Sequence, residues 1–211
     1  MTVLIAGAGI GGLTLGLSLH QLGIPFKIFE AVREIRPLGV GINVQPHAIR
    51  ELFELGLEGE LDKVGLRTKQ VAYFSAQGGE IWREARGEFA GYHWPQYSIH
   101  RGGMQMLLYR ALMERAGPDV IQMGAAVTGS VDTATGVEIT LADRSTGETL
   151  GCAAGSVFVA ADGINSAARQ ALYPDEGAAH WGGIMMWRGV TRGPSFLGGR
   201  TMAMAGKRDC K

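Results

Sequence analysis

The chain opens on a short unbroken apolar run, Val3-Leu4-Ile5-Ala6, then a glycine cluster, then leucines at positions 13, 15, 17 and 19. An apolar run without alternation predicts a strand buried on both faces, as in a parallel sheet. The leucine-rich stretch predicts a helix closing at His20 and Gly23. Residues 25 to 29 predict a second strand that ends at Glu30. The next stretch, with Pro37, Gly39 and Gly41, is irregular, and helical spacing returns from His47 to Leu55.

The pattern then changes period. "QVAYFSAQGGEIWRE" alternates apolar and polar residues around Gly78-Gly79, the pattern of an antiparallel hairpin. "PQYSIHR" predicts one more strand, and residues 102 to 115 a helix. "VIQMG" and the run from Ala126 to Cys152 predict a meander of strands, turning near 133–136 and 143–147. Val157 to Ala160 again reads as a buried parallel strand, leading into Ala161-Asp162-Gly163 and a helix from about Ser166. The last 30 residues, including "HWGGIMMWRGV" and "GGRTMAMAG", are strand-like. The fold class expected is α/β: a nucleotide-binding domain interrupted by a second, mainly β domain.

The glycine cluster Gly7-Ala8-Gly9-Ile10-Gly11-Gly12 fits GxGxxG, and its context gives it meaning. Strand, turn, helix, strand and acid follow one another within about 30 residues, as in a dinucleotide site. Gly7 permits the tight turn, Gly9 the approach of a pyrophosphate, and Gly12 close packing of helix on strand. The helix N-terminus, through Ile10 and Gly11, offers unpaired N–H groups and a positive dipole end to the phosphates. Glu30, with Ala31 after it, is placed to accept from ribose hydroxyls. An acid at this position favours FAD or NAD over NADP; the motif leaves the first two unseparated.

Composition narrows the field further. The 211 residues are 46% hydrophobic and 19% charged, with 20 basic and 20 acidic side chains and a formal net charge of zero. That balance gives no electrostatic case for a nucleic acid or a membrane surface as partner. The 33 glycines follow no strict period and point to tight turns. Cys152 and Cys210 form no CxxC pair, no basic leader precedes the first apolar run, and a reduced, cytoplasmic protein is expected. His93, His100 and His180 lack metal-ligand spacing, so no metal site is expected. The methionines, among them Met104, Met106, Met113 and Met185-Met186, are expected in the core.

With GxGxxG at the start, Arg101 opening the helix after "PQYSIH" and "FVAADGINSAARQALYP" near the end, the chain resembles the FAD-dependent aromatic hydroxylases, the group A flavoprotein monooxygenases. "EIRPLGVGINVQPHA", "PQYSIHRGGMQMLL" and "MMWRGVT" bring it closest to those that hydroxylate phenazines. The resemblance implies that GxGxxG binds the ADP half of FAD and that Arg101 contacts the cofactor. It implies that Val40 and Gly41, within Gly39 to Asn43, run beside the isoalloxazine, and that backbone near Val127 meets the adenine. Asp162-Gly163 would serve both FAD and NAD(P)H. It further implies NAD(P)H as reductant, O₂ as co-substrate, and a flavin C4a-hydroperoxide that delivers one oxygen atom to a small aromatic substrate, a flat acid of phenazine type. No side chain is nominated as a general base.

Trp187 and Arg188 fall on a segment that lines the substrate pocket in such enzymes; alternation along "GIMMWRGV" alternatively makes Trp187 ordinary core. Tyr97 is read as packing, and His47 as a helix-start residue more than a flavin contact. The domains expected are 1–69 with 101–176 for FAD, and 70–100 with 177–211 as part of a substrate-binding β domain. Family members carry a further Gly-Asp motif beside the flavin, which this sequence lacks. The expectation is therefore part of a longer hydroxylase, inactive by itself, with sheet edges prone to self-association.

Overall fold

The structure is a computed structural model and describes residues 1–207; Cys210 lies outside the described residues. In chain order the elements are β1 (Val3–Ala6), α1 (Ile10–Gln21), β2 (Phe26–Glu30), β3 (Gly41–Val44), α2 (Pro46–Glu54), α3 (Glu58–Val64) and β4 (Gly65–Thr68). The hairpin β5 (Gln70–Ser75) and β6 (Glu80–Ala85) follows, then β7 (Gln96–His100) and the long helix α4 (Arg101–Ala116). After these come β8 (Ile121–Met123), β9 (Ala126–Thr133), β10 (Gly136–Ala142), β11 (Thr149–Gly155), β12 (Val157–Ala160), α5 (Ala167–Leu172) and β13 (Thr201–Gly206). They form two compact units, residues 1–37 with 105–179 and residues 38–104 with 180 onwards.

The first unit is built on a parallel sheet in the order β12-β1-β2-β8. Its central strand β1 is buried at every residue, which is why its sequence carries no alternation. Val3 faces Phe26 on one side and Val157 on the other. On α1, Leu13 and Leu17 are fully buried, and Gly16 lets the helix lie close to Phe26 and Ile28. An antiparallel meander, β11-β10-β9, covers a second core of Leu4, Phe29, Ala125, Val137, Ile139 and Leu141.

The second unit holds two three-stranded sheets, β3-β7-β4 and β13-β5-β6. In the first, β7 pairs antiparallel with both neighbours. Residues 38–69 therefore group with β7, where the sequence expectation put them with the nucleotide-binding segments: the ladders of β3 and β4 run to 96–100. Neither β3, α3 nor β4 was anticipated; each is short, and β3 alternates too briefly to stand out. Arg67 ties α3 to β4 by a two-pronged bond to Asp62, Nε to Oδ1 at 2.8 Å and Nη2 to Oδ2 at 2.7 Å. The fully buried Tyr97 donates its hydroxyl to Asp62 at 2.5 Å, so it packs as expected but also bonds. Burial and the Asp62 carboxylate push the Tyr97 phenol well above its ordinary range, while the Arg67 bond holds Asp62 below its own.

The end of the chain corrects one expectation. The stretch 180–190 is not a strand; only β13 forms, parallel to β5 from Thr201↔Gln70 to Gly206↔Ser75. Among the described residues nothing pairs with 180–190, and an unpaired strand gains no ladder bonds to offset its ordering. Trp181, Ile184, Met185, Met186 and Trp187 are all exposed, so Trp187 is not core and the Met185-Met186 pair is not buried.

Candidate cofactor-binding site

The first unit assembles the glycine motif as the spacing requires. The chain leaves β1 at Gly7, whose φ of +93° lies in the region that glycine favours. A Cβ on Gly7 would stand 2.6 Å from the Ala161 carbonyl oxygen. One on Gly12 would stand 1.9 Å from the Gly7 carbonyl oxygen, so helix and turn touch backbone to backbone. Gly9 and Gly11 are different: a Cβ on either meets nothing within 4 Å. Two glycines thus close the turn and two leave open space over the N-terminus of α1. Gly9 caps that helix in an extended conformation with no side-chain bond, and its first turn carries no acid. The N–H groups of Ile10, Gly11 and Gly12 are thereby left for an anion.

Glu30, at the end of β2, turns its carboxylate to the same turn. One oxygen accepts from the Ala8 N–H at 2.6 Å and the other from the Val32 N–H at 3.0 Å. Each carboxylate oxygen keeps a further lone pair, which is what ribose hydroxyls need. Beside it a cavity of about 530 Å³ is lined by Ala31, Val32, Arg33 and residues 143–145. On its wall Arg33 makes a 2.7 Å ion pair with Asp143. The Ser145 hydroxyl, then Arg33, hold the Asp143 carboxyl far below the usual range. Val127 lies opposite Leu141 in the meander and packs on the core that includes Phe29.

The second motif arrives beside the first through the β1–β12 ladder. The Ala161 N–H bonds the Ala6 carbonyl at 2.9 Å, which sets Asp162 next to Gly7. Asp162 Oδ2 accepts from the Ala167 N–H at 2.9 Å, while its Oδ1 is shielded from solvent without a partner. Gly163 has a positive φ of 83°, and Ser166 caps α5 by accepting from the Arg169 N–H. Gln105 of α4 adds a contact that no sequence signal announced, donating to the Ala8 carbonyl at 2.9 Å.

Val40, Gly41 and Arg101 meet in the second unit. The Arg101 N–H donates to the Val40 carbonyl at 2.9 Å, and Gly41 pairs with His100. The Arg101 side chain is exposed. His100, which the sequence reading considered only as a metal ligand, holds this corner. Its Nδ1 accepts from the Gly103 N–H at 3.2 Å, so Nε2 carries the proton and donates to the Gly39 carbonyl at 2.9 Å. His47 is the second residue of α2. Trp187 and Arg188 lie in the irregular, exposed stretch. Among the described residues no three His, Cys, Asp or Glu side chains group to hold a metal, and no helix is long and apolar enough to cross a membrane. Cys152 is a free, exposed thiol on β11.

FAD fits what these residues offer: an open anion cradle at Gly9 and Gly11, a carboxylate at Glu30, and an unmatched carboxylate oxygen at Asp162. Comparison with known proteins agrees. The chain is 45% identical, over 96% of its length and 50% of the relative's, to the phenazine 1,6-dicarboxylic acid hydroxylase PhzS of Lysobacter antibioticus. It is 36% identical, over 90% of its length and 47% of the relative's, to the aurachin C monooxygenase/isomerase of Stigmatella aurantiaca. The chain therefore spans about half the length of these curated relatives. Among solved structures, Klebsiella pneumoniae HpxO complexed with FAD and uric acid superposes with a TM-score of 0.64 at 28% identity, covering 81% of this chain and 41% of that one. The family model described as FAD binding domain matches residues 1–192, and the chain belongs to that family.

Proposed function

We infer that this chain is the FAD-binding part of a cytoplasmic FAD- and NAD(P)H-dependent monooxygenase that hydroxylates a small planar aromatic compound. The observation that carries the reading is the open space over Gly9 and Gly11, in a turn that Glu30 bonds at Ala8 and that Asp162, with its unmatched Oδ1, adjoins at Gly7. The α1 N-terminus would bind the pyrophosphate, and Glu30 would orient the adenosine ribose. Asp162 and Gly163 would hold the cofactor nearer its flavin end. Arg101, with Val40 and Gly41 fixed by His100, would meet the flavin. Bound FAD would supply reduction by NAD(P)H and transfer of one oxygen atom from O₂ to the ring.

The relatives named above support the aromatic substrate class, and the 45% identity favours a phenazine-like acid. Because the chain spans half of those relatives, turnover is proposed for the longer protein and cofactor binding for these residues. The test is a calorimetric titration of the chain with FAD and, separately, with ADP. Saturable binding of both at one site is expected. Failure of both to bind overturns the reading.

A further inference from the structure

A cavity of about 420 Å³ opens within the second unit, among the start of α2, the end of β6 and the segment entering β7. That volume is in the range of small-molecule sites. None of the residues assigned above to FAD or substrate lines it. It lies at the Gln96 end of β7, whereas His100 and Gly41 mark the other end. Four strand residues separate the two ends by roughly 13 Å, so this is not the flavin corner.

Its walls combine cations, donors and rings. The Nε of Arg86 is shielded from solvent and has no hydrogen-bond partner, although Nη2 of the same guanidinium holds Glu84 at 2.8 Å. An unmatched buried donor is rare in a folded protein and asks for an acceptor. Gln96, only 2% exposed, brings an amide to the same wall. Trp94 is held by the Arg50 guanidinium, 5.9 Å from its ring centre, and Tyr92 supplies a second ring. Glu84 pairs with Arg86 and Glu51 with Arg50, so the donor left over on this wall is the Arg86 Nε, on a charged guanidinium that bonds most strongly to an anionic acceptor.

We propose that this cavity is a second ligand site, one that takes a planar aromatic carboxylate. The ring lies against Trp94 and Tyr92, and the carboxylate accepts from Arg86 Nε and the Gln96 amide. The assignment does not depend on the cofactor reading, since the two share no residue.

The probe is 2-naphthoate, titrated into the chain by calorimetry, with neutral 2-naphthamide as its isosteric control. One saturable site is expected, at least tenfold weaker for the amide and for Arg86→Gln, and unmoved by saturating ADP. On the unaltered chain, NMR should show magnetisation transfer from naphthoate to the Trp94 indole, which decides the matter even if Arg86→Gln fails to fold. No saturable binding, equal affinity for acid and amide, displacement by ADP, or transfer only to other indoles each overturns the proposal.

Discussion

Substituting Gly9 and Gly12 one at a time should separate cofactor binding from folding. Gly9 has φ −71° and ψ −178°, a conformation open to any residue, and a Cβ there meets nothing. Gly9→Val should therefore cost the fold only about 1 kcal/mol, for a poorer helix cap. The same side chain would occupy the pyrophosphate's place. Losing two charge-assisted bonds to helix N–H groups, at about 1.5–3 kcal/mol each, weakens binding by roughly 150-fold to 25,000-fold. Gly12→Ala reverses the balance. Its Cβ would sit 1.9 Å from the Gly7 oxygen, and Gly7 cannot retreat because it abuts Ala161 and bonds Phe29. Overpacking backbone on backbone should cost about 3 kcal/mol, lowering the melting temperature by roughly 6–12 °C at this chain length. Thermal melts followed by circular dichroism, paired with ADP titration, read both effects. Gly9→Val that folds and keeps wild-type affinity would show that the phosphates do not lie over Gly9. Gly12→Ala that melts like the parent would refute the helix–turn contact.

Other substitutions test other parts of the chain. Glu30→Ala should weaken ADP binding by about one to two decades, the worth of charge-assisted bonds at 1.5–3 kcal/mol; an unchanged dissociation constant would place the ribose elsewhere. Tyr97→Phe should destabilise the chain by about 1.5 kcal/mol in urea melts, since it removes only the bond to Asp62. Asp62 is held below the ordinary carboxylate range, by Arg67 first, so its contribution is complete above that range and fades as pH falls through its lowered value. In Tyr97→Phe the loss should be smaller and should finish at higher pH, because one of the bonds that lower Asp62 is gone; acid melts of the two proteins will check this. With Trp181, Trp187 and their apolar neighbours exposed, sedimentation should show self-association that a matching C-terminal half suppresses; a clean monomer at high concentration would refute this.

The legible parts of the fold were those whose pattern is local. The sequence from Val3 to Glu30 announces strand, turn, helix, strand and acid because each backbone constraint there selects a residue type. Gly78 and Gly79 announce the β5–β6 hairpin for the same reason. What escaped rests on distant partners. β4 exists because it pairs with β7, and His100 matters because it reaches Gly39, 61 positions earlier. Alternation at 180–190 promised a strand, but a strand is completed by its neighbour, and none of the described residues supplies one.

The strand order of the first unit bears on how the chain reaches this state. β1 rests between β2, beginning 23 positions after Val3, and β12, whose Val157 is 154 positions after it. Closing the longer loop costs about 1.7 kcal/mol more in chain entropy than closing the shorter. During synthesis, at about 5–20 residues per second, β12 follows β2 by roughly 6–25 seconds. The intervening second-unit segment, 38–104, has that interval to collapse first. For those seconds one edge of β1 keeps its N–H and C=O groups unpaired, a template on which a strand of another chain can add in place of β12.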